Sequence, residues 1–203
     1  MKKSFLVIAA AVACAAWLRP AQADDMSQGH EPSAEEKAMM EAWQRYATPG
    51  EAHKVLAALE GDWALKVTSW MTPGQPPQES TGTAKMRMIL GGRYLKQSAE
   101  GTMMGQPFSG LGLSGYDNAK KVYQDVWIDN AGTGMMMTTG SWDEASHTMT
   151  STGSMVDPVS GKSLEVTGKI RHVDPDHFRY EMWMPGPDGK PFKTMEIEYS
   201  RKM

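Results

Sequence analysis

From Trp63 to Arg201 the chain runs through short segments with an apolar–polar period of two, each closed by a turn signal, and few folds tolerate that pattern. Ten strands are predicted: Trp63–Met71, Ser80–Leu90, Arg93–Met103, Phe108–Tyr116, Val122–Ile128, Gly134–Trp142, Thr148–Met155, Ser163–His172, His177–Met184 and Phe192–Arg201. Their breaks are turn chemistry, from Pro73–Pro77 and Gly91-Gly92 to Asp174-Pro175-Asp176 and Pro185–Gly189. No break is long enough for a helical crossover, so a parallel βαβ sheet is not expected and an up-and-down antiparallel meander is.

Alternation assigns faces at both ends of the series. Trp63, Leu65 and Val67 share one face of the first strand, and Met86, Met88 and Leu90 one face of the second. Phe178, Tyr180, Met182 and Met184 share a face of the ninth, and Met195, Ile197, Tyr199 and Arg201 of the tenth. The middle strands are less decisive. The inferred interior is rich in methionine, of which the chain has 18.

The first residues read as an export leader rather than as part of the fold. Lys2 and Lys3 precede an apolar run, Phe5 to Leu18, and Ala21-Gln22-Ala23 fits a cleavage site, so residues 1–23 are expected to leave. Anchoring of a lipoprotein at Cys14 is the alternative. Cys14 is the only cysteine, so the processed chain has no disulfide, thiol nucleophile or thiolate metal site. Loss of Lys2, Lys3 and Arg19 makes a formal charge of −3 more acidic, which argues against nucleic acid and anionic lipid as partners; no integral membrane association is expected. Residues 24–32 read as disordered, and 33–60 as a helical segment. Ser33 can cap a helix to Tyr46, with Glu35 and Glu36 in its first turn. A second helix is expected to start with Thr48 as cap and Pro49 at its first position, and to end at Gly61.

Residues 61–203 are expected to form one barrel domain, and a family resemblance covers it and the helix before it. The segments Pro49–Lys54, Gly61-Asp62-Trp63, Met88–Tyr94, Gly101–Phe108, Gly115–Asn118, Trp127–Gly134 and Met184–Lys190 resemble an exported bacterial lipocalin-like (calycin-type) family known only as a domain of unknown function. The likeness runs from about Pro49 to Arg201 and implies an all-β fold, a roughly ten-stranded antiparallel up-and-down lipocalin-like barrel with a short N-terminal helical segment. It brings no activity and no site residues. In such barrels a Gly-x-Trp entry and a basic residue on the last strand plug one end, so Trp63 and Arg201 are read as structural closure.

The expected function is binding of a small apolar or amphipathic molecule inside the barrel, after export to the periplasm or beyond. Met86, Met88, Tyr180, Met182, Met184 and Met195 are the expected lining, with Arg93 and Asp129 as polar contacts. No catalytic residue, metal ligand or resident cofactor is assigned, and an enzyme is the less favoured class. Copper held by methionines stays open as a less favoured alternative, since Met135-Met136-Met137 alternates in and out along a strand and its neighbours do not all meet one metal. Haem ligated by a histidine stays open as an alternative. His172 and His177 are read as exposed turn residues able to meet across a hairpin, and His53 as a helix-to-barrel hydrogen bond. Two other functions are kept. One is a filled barrel acting as a protein-interaction module through Ser33–Tyr46. The other is an enzyme with a rim site around Asp129 and His53, or Asp129 with Arg93 and Tyr116. Oligomeric state is not set by the sequence.

Overall fold

The fold is seen in a computed structural model that describes residues 31–203; the leader-like segment, Cys14 and His30 lie outside them. The described part of the first unit, up to Ala38, holds a helix start. There Glu36 N donates to Ser33 Oγ and Ser33 N to the Glu36 carboxylate, a reciprocal capping box that opens α1 (Ala34–Ala47). The second unit, from Met39 on, contains the rest of α1, a short α2 (Glu51–Ala57) and all the strands.

The strands are β1 (Gly61–Ser69), β2 (Gln78–Ile89), β3 (Tyr94–Met103), β4 (Gln106–Asp117), β5 (Val122–Asp129), β6 (Met136–Asp143), β7 (Thr148–Val156), β8 (Ser163–Asp174), β9 (His177–Pro185) and β10 (Pro191–Arg201). Each pairs antiparallel with its sequence neighbour, and β1 pairs with β10 to close the barrel. All ten predicted strands are present, with ends shifted by a residue or two. Closure satisfies every strand edge internally.

One end is sealed as the sequence suggests. Trp63 is 1% exposed, and the Arg201 guanidinium lies over its ring at 4.2 Å. Arg201 also donates to the carbonyls of Glu60 (2.6 Å) and Pro175 (2.8 Å) and to the Asp176 carboxylate (3.1 Å), tying α2, the β8–β9 turn and β10 together. Gly61 makes this seat, since a Cβ there would run into the guanidinium and its φ of 152° suits only glycine. Phe178 packs edge-on to Trp63 at 4.8 Å and stacks on Tyr199 at 4.0 Å. Helix α2 and the connection after it lie on this end through Leu56 and Leu59, both buried, and Tyr123 donates its hydroxyl to the Ala52 carbonyl. Burying a leucine contributes about 2 kcal/mol, so this lid is part of the core.

Several local expectations are corrected. Thr48 does not cap α2: its hydroxyl donates back to Gln44, and Gly50 is the cap, its N–H donating to His53 Nδ1 at 3.0 Å. A side chain at the third helical position thus reaches back to satisfy the N–H of the cap residue. Gly61 does not end α2, which stops at Ala57, but opens β1. Leu90 does not continue the inner face of β2; it sits in the turn with φ 50° and is 69% exposed. His172 is not an exposed turn residue but packs against Trp142 at 4.8 Å, while His177 pairs with Asp174 at 2.9 Å, so the two histidines take separate partners.

Candidate functional site

The cross-strand register sorts every strand residue to the inside or outside. Inner pairs such as Trp63–Ala84, Ser114–Asp125, Asp125–Thr138, Ile170–Tyr180 and Met182–Met195 follow one another around the wall. Stacked along the axis, they form three layers.

The layer beside α2 is closed core. Leu65, Met86, Leu95, Tyr123, Met149, Phe178 and Tyr199 are all buried there. The layer at the other end is different. Val67, Trp127, Met136, Met182, Met184, Met195 and Ile197 also point inward, yet each keeps partial solvent contact, and the rim residue Met103 is 45% exposed. The wall is thinned on the inside as well, since Gly82, Gly101, Gly110, Gly112, Gly153 and Gly168 fall at inward positions. Trp127 uses that space, lying flat across Gly110 and Gly112, and its indole N–H donates to Asp129 at 2.8 Å.

Between the two layers runs a polar belt. Asp125 on β5 faces inward and accepts hydrogen bonds from Ser114 on β4 and Thr138 on β6, the latter at 3.4 Å. Burial holds the Asp125 carboxyl above the usual carboxylate range, with the two hydroxyls pulling the other way. The Tyr180 ring lies close to Ser151 and Gly168, and burial pushes its hydroxyl up. Gln97 donates to the Tyr199 hydroxyl at 3.3 Å, and burial pushes that phenol up to about 12.

The expected site residues are distributed unevenly over these layers. Tyr180, Met182, Met184 and Met195 come together on β9 and β10. Met86 and Met88 lie at the sealed end, and Arg93 stands outside that end on the β2–β3 turn, donating to the Leu90 carbonyl. Asp129 sits at the opposite rim, its carboxylate taken by the Trp127 indole and the Ala131 N–H. It is separated from the α2 end by the length of β5, roughly 20 Å. The rim clusters of Asp129 with His53, or with Arg93 and Tyr116, therefore do not form. Trp70 and Trp183 belong to the outer surface, where Lys193 lies over both rings at 5.1 and 6.0 Å. Met135 and Met137 point away from the interior and are 70% and 63% exposed, with Met136 between them facing in. Asp125, Ser114 and Thr138 escape a reading based on methionine content alone.

A recess of about 880 Å³ runs along the outside of the wall. Tyr94, Leu113, Val126, Met137 and Thr139, outward residues of β3 to β6, line it, with Tyr46 and Ala47 at the end of α1. Asn118 holds that end by donating to the Tyr46 and Thr48 carbonyls, both at 2.9 Å. His53 borders the same recess and packs edge-on to Tyr116 at 5.9 Å. Burial first, then the Arg93 charge, lowers the pKa of His53 below its ordinary 6.5. Its Nδ1 must be unprotonated to accept from Gly50, which fits the same direction. The unfolded chain therefore takes up the proton first as pH falls below 6.5, and the stability that His53 contributes declines through that window. Melting curves of wild type and His53→Asn should accordingly draw closer between pH 7.5 and 5.5; a gap that stays constant would refute the assignment.

These layers define a class: a closed ten-stranded antiparallel barrel, sealed by a tryptophan–arginine plug at one end and with partly exposed inward side chains at the other. The chain belongs to a family described only as a protein of unknown function, DUF1579, matched over residues 48–201. No curated protein matches the sequence. Among solved structures it is similar to Rv2717c from M. tuberculosis, at 15% identity and a TM-score of 0.55, covering 77% of this chain and 100% of that one. It is also similar to the S-type phycobiliprotein lyase CPES from Guillardia theta, at 10% identity and a TM-score of 0.52, covering 79% and 97%. Both likenesses concern the fold.

Proposed function

We propose that the recessed half of the barrel binds a small apolar or amphipathic molecule. The observation that carries this reading is the contrast between two sets of inward side chains on the same strands, one fully buried and one in contact with solvent. The methionines at the mouth suit such a guest, because an unbranched thioether adapts its shape to what it touches. Burial of apolar surface supplies the drive, and the polar belt beneath sets orientation. The leader-like start supports export of the protein, which N-terminal sequencing of the protein from its native cells tests: the first residue should be Asp24.

The neutral dye N-phenyl-1-naphthylamine tests the cup. Saturable binding, one dye per chain, with a Kd on the order of micromolar is expected. Ser80 faces inward opposite Val67, so Ser80→Trp should plug the recess and abolish binding while the far-UV spectrum is unchanged. Dye binding that survives the plug would place the site elsewhere.

One observation favours a second reading. No residue of α1 is buried, and Met39, Met40, Trp43 and Tyr46 are each about half exposed or more. An apolar helix face beside the outer recess would serve a protein partner. Under that reading, deletion of 33–46 removes partner capture, and the plugged Ser80→Trp protein behaves as wild type.

A further inference from the structure

The polar belt contains one acid and no base to match it. Among the described strands, the only lysine or arginine on the inner face is Arg201, which is committed to the plug at the sealed end. Asp125 stands one layer higher. It is flanked by Ser114 on β4 and Thr138 on β6, neither of which titrates in the working range. The titratable group that faces it from across the barrel is the Tyr180 phenol, whose own proton is held partly by the charge of Asp125. The next phenol, Tyr199, is engaged by Gln97.

An ionised carboxylate accepts about four hydrogen bonds. Asp125 has two neutral donors, one of them long. Acceptor capacity is left over on the inner face of the wall, where Asp125 points. A partly buried acid without a counter-charge costs stability, and Asn at the same position would avoid that cost. Groups of this kind are retained where they meet a ligand.

We infer that the molecule bound in the cup is an amphipathic amine, which enters head first so that its nitrogen donates to Asp125 while its apolar body lies among Trp127 and the mouth methionines. The inference rests on the cup reading and sharpens it. A cationic head supplies the missing counter-charge and fills the open acceptor sites. A carboxylate head in the same place meets a like charge and is rejected. The Tyr180 hydroxyl and Ser151 lie beside the site as further polar partners for the head group.

The test is a competition on the full chain at pH 7, below micellar concentrations, in which decylamine, decanol and decanoate displace N-phenyl-1-naphthylamine. The three probes share one tail and differ in the head. Decylamine should compete about tenfold better than decanoate. In Asp125→Asn, amine and alcohol should converge to within about twofold, and decanoate should improve. Thr138→Val, which removes one orienting hydroxyl and leaves the charge, should narrow the amine preference in part. The wild-type ratio is readable whether or not Asp125→Asn folds. Equal competition by amine and decanoate, or a preference unchanged in Asp125→Asn, overturns the inference and leaves the cup standing. Dye that does not bind, or that none of the three displaces, overturns the cup and the inference with it.

Discussion

Arg201→Ala is expected to lower stability by about 3 kcal/mol, with no change in which probe the barrel prefers. The guanidinium joins three chain segments at the sealed end. Its planar face covers Trp63, and its N–H groups bind carbonyls of the α2–β1 connection and of the β8–β9 turn. Removing it uncovers the indole and leaves the Glu60 and Pro175 carbonyls unpaired at a nearly closed end. Charge-assisted bonds of this sort contribute about 1.5–3 kcal/mol each, and the ring contact about 1. Water re-entering the gap returns part of that sum. For a barrel of this size the loss corresponds to a fall in Tm of roughly 6–12 °C. Arg201→Lys should lose nearly as much, because an ammonium cannot bond both carbonyls while lying flat on the ring. Thermal melts of the two variants check this. A loss below about 1 kcal/mol would mean that the plug is ornamental to stability, and altered probe preference would place Arg201 in the site.

The plug and the strands were legible in the sequence because their signals are local. A turn residue ends a strand, and parity carries the inner face along it, as on β9 from Phe178 to Met184. The belt was not legible, and β5 shows why. Tyr123, Asp125 and Trp127 share the inner face, but Val122, Val126 and Ile128 make the outer face equally apolar. With both faces apolar, alternation gives no direction, and an aspartate is then placed outside by default. The outer apolar residues have their own cause: Val126 and Met137 border the external recess rather than the core. Asp129 attracted notice for its place in a glycine-rich turn, and it does serve a turn, with its other oxygen on Trp127. The rim sites failed because nearness to a strand end says nothing about which end of the barrel that is. Arg93 lies in the turn before β3 at the sealed end, whereas Asp129 finishes β5 at the mouth.

The second large effect should come from adding a methyl rather than removing a side chain. At Gly153 a Cβ would collide with the Met137 carbonyl and come within 2.9 Å of Thr138 Cγ2. Gly140, on the facing strand, would strike the Thr150 carbonyl in the same way. The β6 and β7 backbones approach closely at both positions, as strands do where a barrel turns a corner. Gly153→Ala must therefore part the two strands or twist them out of register. Neither neighbour is a flexible side-chain end that could step aside. The expected cost is about 2–3 kcal/mol, although alanine is the better residue by intrinsic propensity. Gly132 is the control, because a Cβ there meets nothing within 4 Å, and Gly132→Ala should leave Tm within a degree or two. The corner also sets the site. Thr138, which donates to Asp125, is the side chain that the new methyl would press, so Gly153→Ala should weaken the amine preference as well as the fold. A stable Gly153→Ala protein with the preference intact would show that the corner relaxes freely and that Thr138 is not held by it.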